Sequence, residues 1–276
     1  MTAVLEIEDL TIRLAGRTLV DDVSLRLGVG ERLGLIGASG SGKSFTALAT
    51  IGLLPEGAQV TGSIRLAGRE LSGRSDRELA RVRGRRIGMV FQEPATALDP
   101  LMRVGAQIAG PVRRLTGASR SVAARRAVEL AATVGLPDPE VLVRAYPHQL
   151  SGGQRQRVGI AIALAGGPDL LIADEPTTAL DVTVQAEVLR LLDDLVAQRG
   201  TALLFISHDL AVVAQVARRV AVLADGRLRE YGPVEQVLHH PRDPATRALI
   251  EAARRTSWRA PPVQAAQPVG AEAVQP

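Results

Sequence analysis

A chain of 276 residues, 46% hydrophobic and 22% charged, has the size of one large globular domain or of a core carrying an inserted subdomain. The absence of cysteine excludes disulfides, thiolate metal sites and iron–sulfur clusters, and fits a reducing compartment. Net charge is +4, and aromatic residues make up only 2%, so the core has to rest on Leu, Val, Ile and Ala.

Residues 1–9 carry acids where a secretory signal needs bases and an apolar run. No uncharged apolar stretch reaches the roughly 18 residues of a membrane span, so any membrane association is expected to be peripheral. Residues 1–30 alternate apolar and polar positions, as in Leu5/Ile7, Leu10/Ile12/Leu14 and Val23/Leu25/Leu27. The pattern predicts short strands forming a half-exposed antiparallel sheet, extended by residues 63–67.

Residues 33–36 read as a buried strand and 45–54 as a helix stopped by Pro55. Between them runs Gly37-Ala38-Ser39-Gly40-Ser41-Gly42-Lys43-Ser44, which fits the phosphate-loop pattern G-x-x-x-x-G-K-[ST] at every fixed position. Three glycines let the backbone wrap an anion with its N–H groups inward, and the following helix adds the positive end of its dipole. In such a loop Lys43 reaches the β- and γ-phosphates and the Ser44 hydroxyl holds Mg²⁺. A glycine-rich turn that binds nothing has the same outline. Against it, Lys43 is the single lysine among 33 basic residues, all the others being arginine. A compact ammonium is kept only where a phosphate pocket calls for one.

Arginines at 74, 77, 81, 83, 85 and 86 form the densest basic patch. Without aromatics nearby to stack bases, it reads as a solvated face rather than a nucleic-acid surface. Residues 86–91 are the next core strand, ending at Gln92. The pattern is then helical to about residue 150, with one helix over 121–134 closed by Gly135 and Pro137. About 93–155 is therefore expected to be a helical subdomain inserted into the α/β core.

Leu150-Ser151-Gly152-Gly153-Gln154 precedes a helix over 155–164, and so presents N–H groups and a hydroxyl at a helix N-terminus. One nucleotide needs one phosphate cradle, so this second cradle is expected to serve another chain's nucleotide. Residues 170–173, 202–206 and 220–223 are apolar throughout, as in a parallel sheet covered on both faces. A helix over 184–198 fills one gap, and Asp225-Gly226 is a hairpin turn. Asp174 and Glu175 end the first of these strands: Asp174 is placed as a Mg²⁺ ligand, Glu175 as the group that polarises water against the γ-phosphate. Gln92, within reach of metal or water, and His208 end two further strands. Singly each is an ordinary polar strand end; together at one sheet edge they argue for a shared site. Residues 257–276, rich in Pro, Ala, Gln and Val, read as a disordered tail after a domain of residues 1–256.

The phosphate loop, Gln92, Leu-Ser-Gly-Gly-Gln, Leu-Leu-Ile-Ala-Asp-Glu, Ala179-Leu180-Asp181 and His208 stand in the order and spacing of an ABC transporter's ATP-binding cassette, which the chain resembles over about residues 3–250. Phrases such as Phe91-Gln-Glu-Pro-Ala-Thr-Ala-Leu-Asp-Pro100 and Tyr146-Pro-His-Gln-Leu150 are similar to the oligopeptide/dipeptide/nickel importer branch. The resemblance implies a P-loop NTPase fold, α/β and RecA-like, with a parallel-sheet core, an antiparallel β subdomain and the helical insert. It implies ATP and Mg²⁺, and a head-to-tail dimer with a second cassette, identical or paralogous. There Ser151, Gly152, Gly153 and Gln154 complete the partner's site, Asp181 signals across the interface and His208 contacts the γ-phosphate. It further implies two transmembrane permeases, pressing on about 93–110, an extracellular binding protein upstream, a place on the cytoplasmic face of the membrane and no nucleic-acid partner. A soluble ABC-type ATPase acting on DNA or ribosomes is the alternative; such proteins usually add a long coiled coil or a second cassette, and neither is present. One departure concerns the base: where the family stacks adenine on an aromatic, this chain has Leu14, with Arg13 and Arg17 nearby.

Overall fold

The computed structural model describes residues 3–92, 97–178 and 180–255; the expected disordered tail, 257–276, lies outside them. The chain runs β1 (Ala3–Leu14), β2 (Arg17–Gly28), β3 (Arg32–Ile36), α1 (Lys43–Ile51), β4 (Gln59–Leu66), β5 (Arg69–Glu70), α2 (Asp76–Leu79) and β6 (Ile87–Val90). The helical insert follows as α3 (Val104–Thr116), α4 (Arg120–Thr133) and α5 (Pro139–Leu142). Then come α6 (Gly152–Leu164), β7 (Leu170–Asp174), α7 (Val182–Arg199), β8 (Ala202–Ser207), α8 (Leu210–Val216), β9 (Arg219–Ala224), β10 (Arg227–Pro233), α9 (Val234–His239) and α10 (Pro244–Arg255).

Two sheets result. The smaller is antiparallel, in the order β2-β1-β4-β5; the larger runs β10-β9-β3-β8-β7-β6, parallel except for β10. Apart from Arg32, the residues of the central strands β3, β7 and β8 are buried on both faces, yet the period of two survives: Leu204 and Ile206 join the core shared with the antiparallel sheet and α1, while Leu203 and Phe205 join the core shared with the helical insert.

The antiparallel sheet differs from expectation in one respect. Instead of several short strands, residues 3–28 form two strands of 12 residues each. The pairing register shifts between Ile7 and Leu10, next to Asp9 at φ 51°, and again between Leu10 and Ile12, across from which Asp22 has φ 56°. Bulges reset the alternation without ending the strand, so each phase change mimicked a strand break.

Helix limits also moved. The first helix starts at Lys43 and ends at Ile51, not at Pro55, because Gly52 takes the left-handed conformation (φ 63°) and returns its N–H to Ala49 and Leu48. The helix expected from residue 155 starts at Gly152, capped by Ser151. The Asp225-Gly226 turn is as read, with both residues at positive φ (52° and 75°) between β9 and β10. The parallel strands deliver residues 37–42, Gln92, Glu175 and His208 to one edge, beyond the C-terminal ends of β3, β6, β7 and β8.

Candidate active site

The loop of residues 37–42 leaves β3 and feeds directly into α1. It is shaped by contact with the antiparallel hairpin. A Cβ on Gly42, at φ 101°, would stand 2.7 Å from the Leu19 carbonyl oxygen and 3.1 Å from Val20 Cγ2. At Gly40 (φ 78°) a Cβ would meet nothing within 4 Å, so the crown of the loop is open. Lys43 is only 5% exposed, and its Nζ donates to the carbonyls of Gly37 (2.8 Å) and Ala38 (2.9 Å). The ammonium is thus folded back under the loop. Burial lowers its pKa, against the pull of the Glu175 and Asp174 carboxylates.

Asp174, the last residue of β7, is 7% exposed and accepts a hydrogen bond from the Ser44 hydroxyl. Burial raises its pKa more than Ser44 and Lys43 lower it. Its Oδ1 and the hydroxyl of Ser41 are buried without a hydrogen-bond partner. Two orphaned polar atoms, an open crown of backbone and a buried ammonium fit a phosphate chain with a divalent cation. Among the described residues no group of three or more His, Cys, Asp or Glu could cage a metal by itself. An ion here must complete its shell with phosphate oxygens and water, as Mg²⁺ characteristically does.

Glu175 turns out of the strand at φ 46°, its N–H held by the Ile206 carbonyl at 2.9 Å. Its carboxylate gathers the strand-end residues together. Gln92 Nε2 donates to Oε2 at 3.1 Å, and His208 Nδ1 lies 3.0 Å from Oε1. The three polar strand ends, which the sequence reading set at one sheet edge, form one hydrogen-bonded group. A fourth member was missed: the Thr178 hydroxyl donates to Oε2 at 3.0 Å. Its only signal was a hydroxyl three residues beyond Glu175 in a turn.

Ser151 to Gln154 stand apart. Ser151 Oγ accepts from Gln154 N (3.2 Å), and Gln154 Oε1 accepts from Ser151 N (2.9 Å), a capping box that starts α6. Gly152 and Gly153 face Leu180 and Val184, and a Cβ on Gly153 would stand 2.4 Å from Val184 Cγ1. Among the described residues no hydrogen bond joins this segment to residues 37–44 or to Glu175. Asp181 caps α7, its Oδ1 accepting from Val184 N at 3.0 Å. In the hairpin, half-buried Leu14 pairs with exposed Arg17.

A family model described as "ABC transporter" matches residues 20–178. The chain is 46% identical over 256 residues to the oligopeptide transport ATP-binding protein OppD of Bacillus subtilis (strain 168), covering 91% of this chain and 72% of that one. It is 46% identical over 234 residues to the dipeptide transport ATP-binding protein DppD of Lactococcus lactis subsp. cremoris, spanning 84% of this chain and 67% of that protein. The OppD of Mycobacterium tuberculosis is 49% identical over 255 residues, which span 42% of its length. Among solved structures, the ATP-binding cassette MJ0796, a dimer in a post-hydrolysis state bound to ADP and Pi, superposes with a TM-score of 0.73 at 29% identity, over 83% of this chain and 98% of that one.

The buried Asp174 carboxylate has a measurable consequence. With a native pKa raised by burial above the unfolded value of 3.8, its ionisation opposes folding, a penalty that grows as the pH rises above 3.8. Asp174→Asn should therefore raise the melting temperature of the nucleotide-free protein at pH 7. The gain should fade as the pH falls through 3.8, below which the carboxyl is protonated in both states. Thermal unfolding of both proteins across that pH range, followed by circular dichroism, checks this.

Proposed function

Because this chain belongs to the ABC transporter family of ATP-binding cassettes, we propose that it hydrolyses ATP to drive the import of oligopeptides or dipeptides through membrane permeases. Nickel, free or chelated, is a further cargo class of the same branch. The observation that carries the reading is Glu175, hydrogen-bonded to Gln92 and His208, beside a phosphate loop whose Lys43 and Asp174 are both buried. The peptide cargo rests on the names of the relatives.

In this reading Ser44 Oγ, Asp174 and Gln92 would hold Mg²⁺, which would supply positive charge to offset that of the phosphates. Residues 37–42 hold the phosphates on backbone N–H groups. Lys43 exchanges the carbonyls of Gly37 and Ala38 for phosphate oxygens. Glu175 takes the proton of the attacking water, and His208 steadies the γ-phosphate as charge builds on it. Ser151 to Gln154 offer their N–H groups to the nucleotide of a second cassette, and Asp181 carries the signal across that interface.

Among the described residues no helix is long and apolar enough to cross a membrane, which accords with peripheral attachment to the cytoplasmic face through two permease subunits. The docking surface lies beside Gln92. A groove of about 570 Å³, with Leu53, Met89, Phe91 and Leu115 in its lining, opens between the sheet and the helical insert. Phe91 is 44% exposed and Leu101 87%, apolar surface that a docked permease would cover. Of the expected contact region 93–110, residues 93–96 lie outside the described ones.

Three measurements test these roles. Glu175→Gln should slow ATP hydrolysis by about 10²-fold or more while ATP still binds, the usual scale of a lost general base; near-normal turnover removes that role. Ser151→Arg should leave ATP binding by the monomer intact and abolish ATP-dependent dimerisation in light scattering. Affinity capture from detergent-solubilised host membranes should bring two polytopic permeases and a second cassette. Recovery of ribosomal or nucleic-acid partners alone would instead support a soluble ATPase.

A further inference from the structure

Glu175 has three hydrogen-bond donors, and they are not equivalent. Gln92 and His208 come from the ends of β6 and β8, far away in sequence. Under the reading above, both have work to do on the nucleotide: Gln92 at the metal, His208 at the γ-phosphate. Each must turn at least part of its hydrogen-bonding capacity away from Glu175 once a nucleotide is bound. Thr178 has no such competing duty. It lies three residues beyond Glu175 on the same turn, its N–H facing the Glu175 carbonyl at 3.4 Å and its hydroxyl 3.0 Å from Oε2.

The turn that carries Thr178 is built to hold it there. Glu175 adopts φ 46°, a conformation rare outside glycine, which swings the chain sharply off the strand. The neighbouring Thr177 is buried, and its hydroxyl accepts from Gln185 Nε2 at 3.1 Å, tying the turn to α7. The Leu180 N–H closes onto the Thr177 carbonyl at 3.1 Å. Thr178 itself is exposed and packs into no core. Its hydroxyl is therefore the group whose loss changes the carboxylate and little else.

We propose that Thr178 is a positioning residue for the general base. Its hydroxyl fixes the plane of the Glu175 carboxylate when Gln92 and His208 have turned to the nucleotide, so that the free lone pair of the carboxylate points at the attacking water. Thr178 touches neither water nor phosphate; it acts through Glu175. The same turn continues to Asp181, so the orientation of the base is linked to the segment that caps α7.

The inference rests on Glu175 being the base, and the test separates the two. Thr178→Val keeps the shape of the side chain and removes the hydroxyl. Steady-state hydrolysis should show kcat reduced about tenfold or more, the scale of a lost hydrogen bond to a charged group, with KM for ATP unchanged. Thr178→Ser, which keeps the hydroxyl, should restore kcat to within about twofold, the tolerance expected of an unperturbed site. In a Glu175→Gln background, Thr178→Val should leave the residual rate unaltered, because no base remains to be oriented. An unchanged kcat in Thr178→Val, failure of serine to rescue it, or an equal loss in both backgrounds would each overturn the proposal. Normal turnover by Glu175→Gln alone would overturn the role of Glu175 itself.

Discussion

Two charges of opposite sign are held out of water at the same sheet edge, and much of the structure follows from that constraint. Lys43 and Asp174 are almost fully buried, one opening α1 and the other closing β7. Burial works against the ionised form of both groups. Besides their mutual attraction and the pull of Glu175 on Lys43, their hydrogen-bond partners within the chain are modest: two backbone carbonyls for the ammonium, one serine hydroxyl for the carboxylate. A buried, incompletely partnered charge is an expense to folding unless something else completes it. A triphosphate with a divalent cation has the complementary charges, anionic oxygens for Lys43 and a cation for Asp174. Such a ligand would relieve that cost, so that binding and stability become two readings of one quantity.

The parts of this arrangement that a linear sequence exposes are those with local chemistry. Residues 37–44 were legible because backbone curvature, helix dipole and ammonium all fall within eight positions. Asp174 and Glu175 were legible because the wholly apolar run 170–173 ended in two acids. The convergence of Gln92 and His208 on Glu175 followed from strand order, since parallel strands present their C-terminal ends on one side. Thr178 was not legible, because its role depends on a left-handed turn at a glutamate, which residue preference argues against. Nor was the continuity of β1 and β2, where bulges near Asp9 and Asp22 shift the alternation that marks a strand. The packing of Gly42 against Leu19 and Val20 was hidden for a different reason: it joins two elements that carry no complementary pattern in sequence.

The turn between β7 and α7 ties the two halves of the molecule together. Its first residue, Glu175, reaches the ends of β6 and β8 through Gln92 and His208. Its later residues, Leu180 and Asp181, lead into α7, where Val184 packs close against Gly153 of the second cradle. Eight residues of chain therefore separate the carboxylate assigned to the water from the side chain that seats the cradle assigned to a partner's nucleotide. That connection carries two hydrogen bonds, Gln185 to Thr177 and Val184 to Asp181. The cradle itself is satisfied within its own chain by the Ser151–Gln154 capping box, which leaves its shape independent of any partner. A preformed cradle on one side and a base oriented through the same turn on the other is the arrangement expected where docking of a second subunit must be felt at the site of hydrolysis.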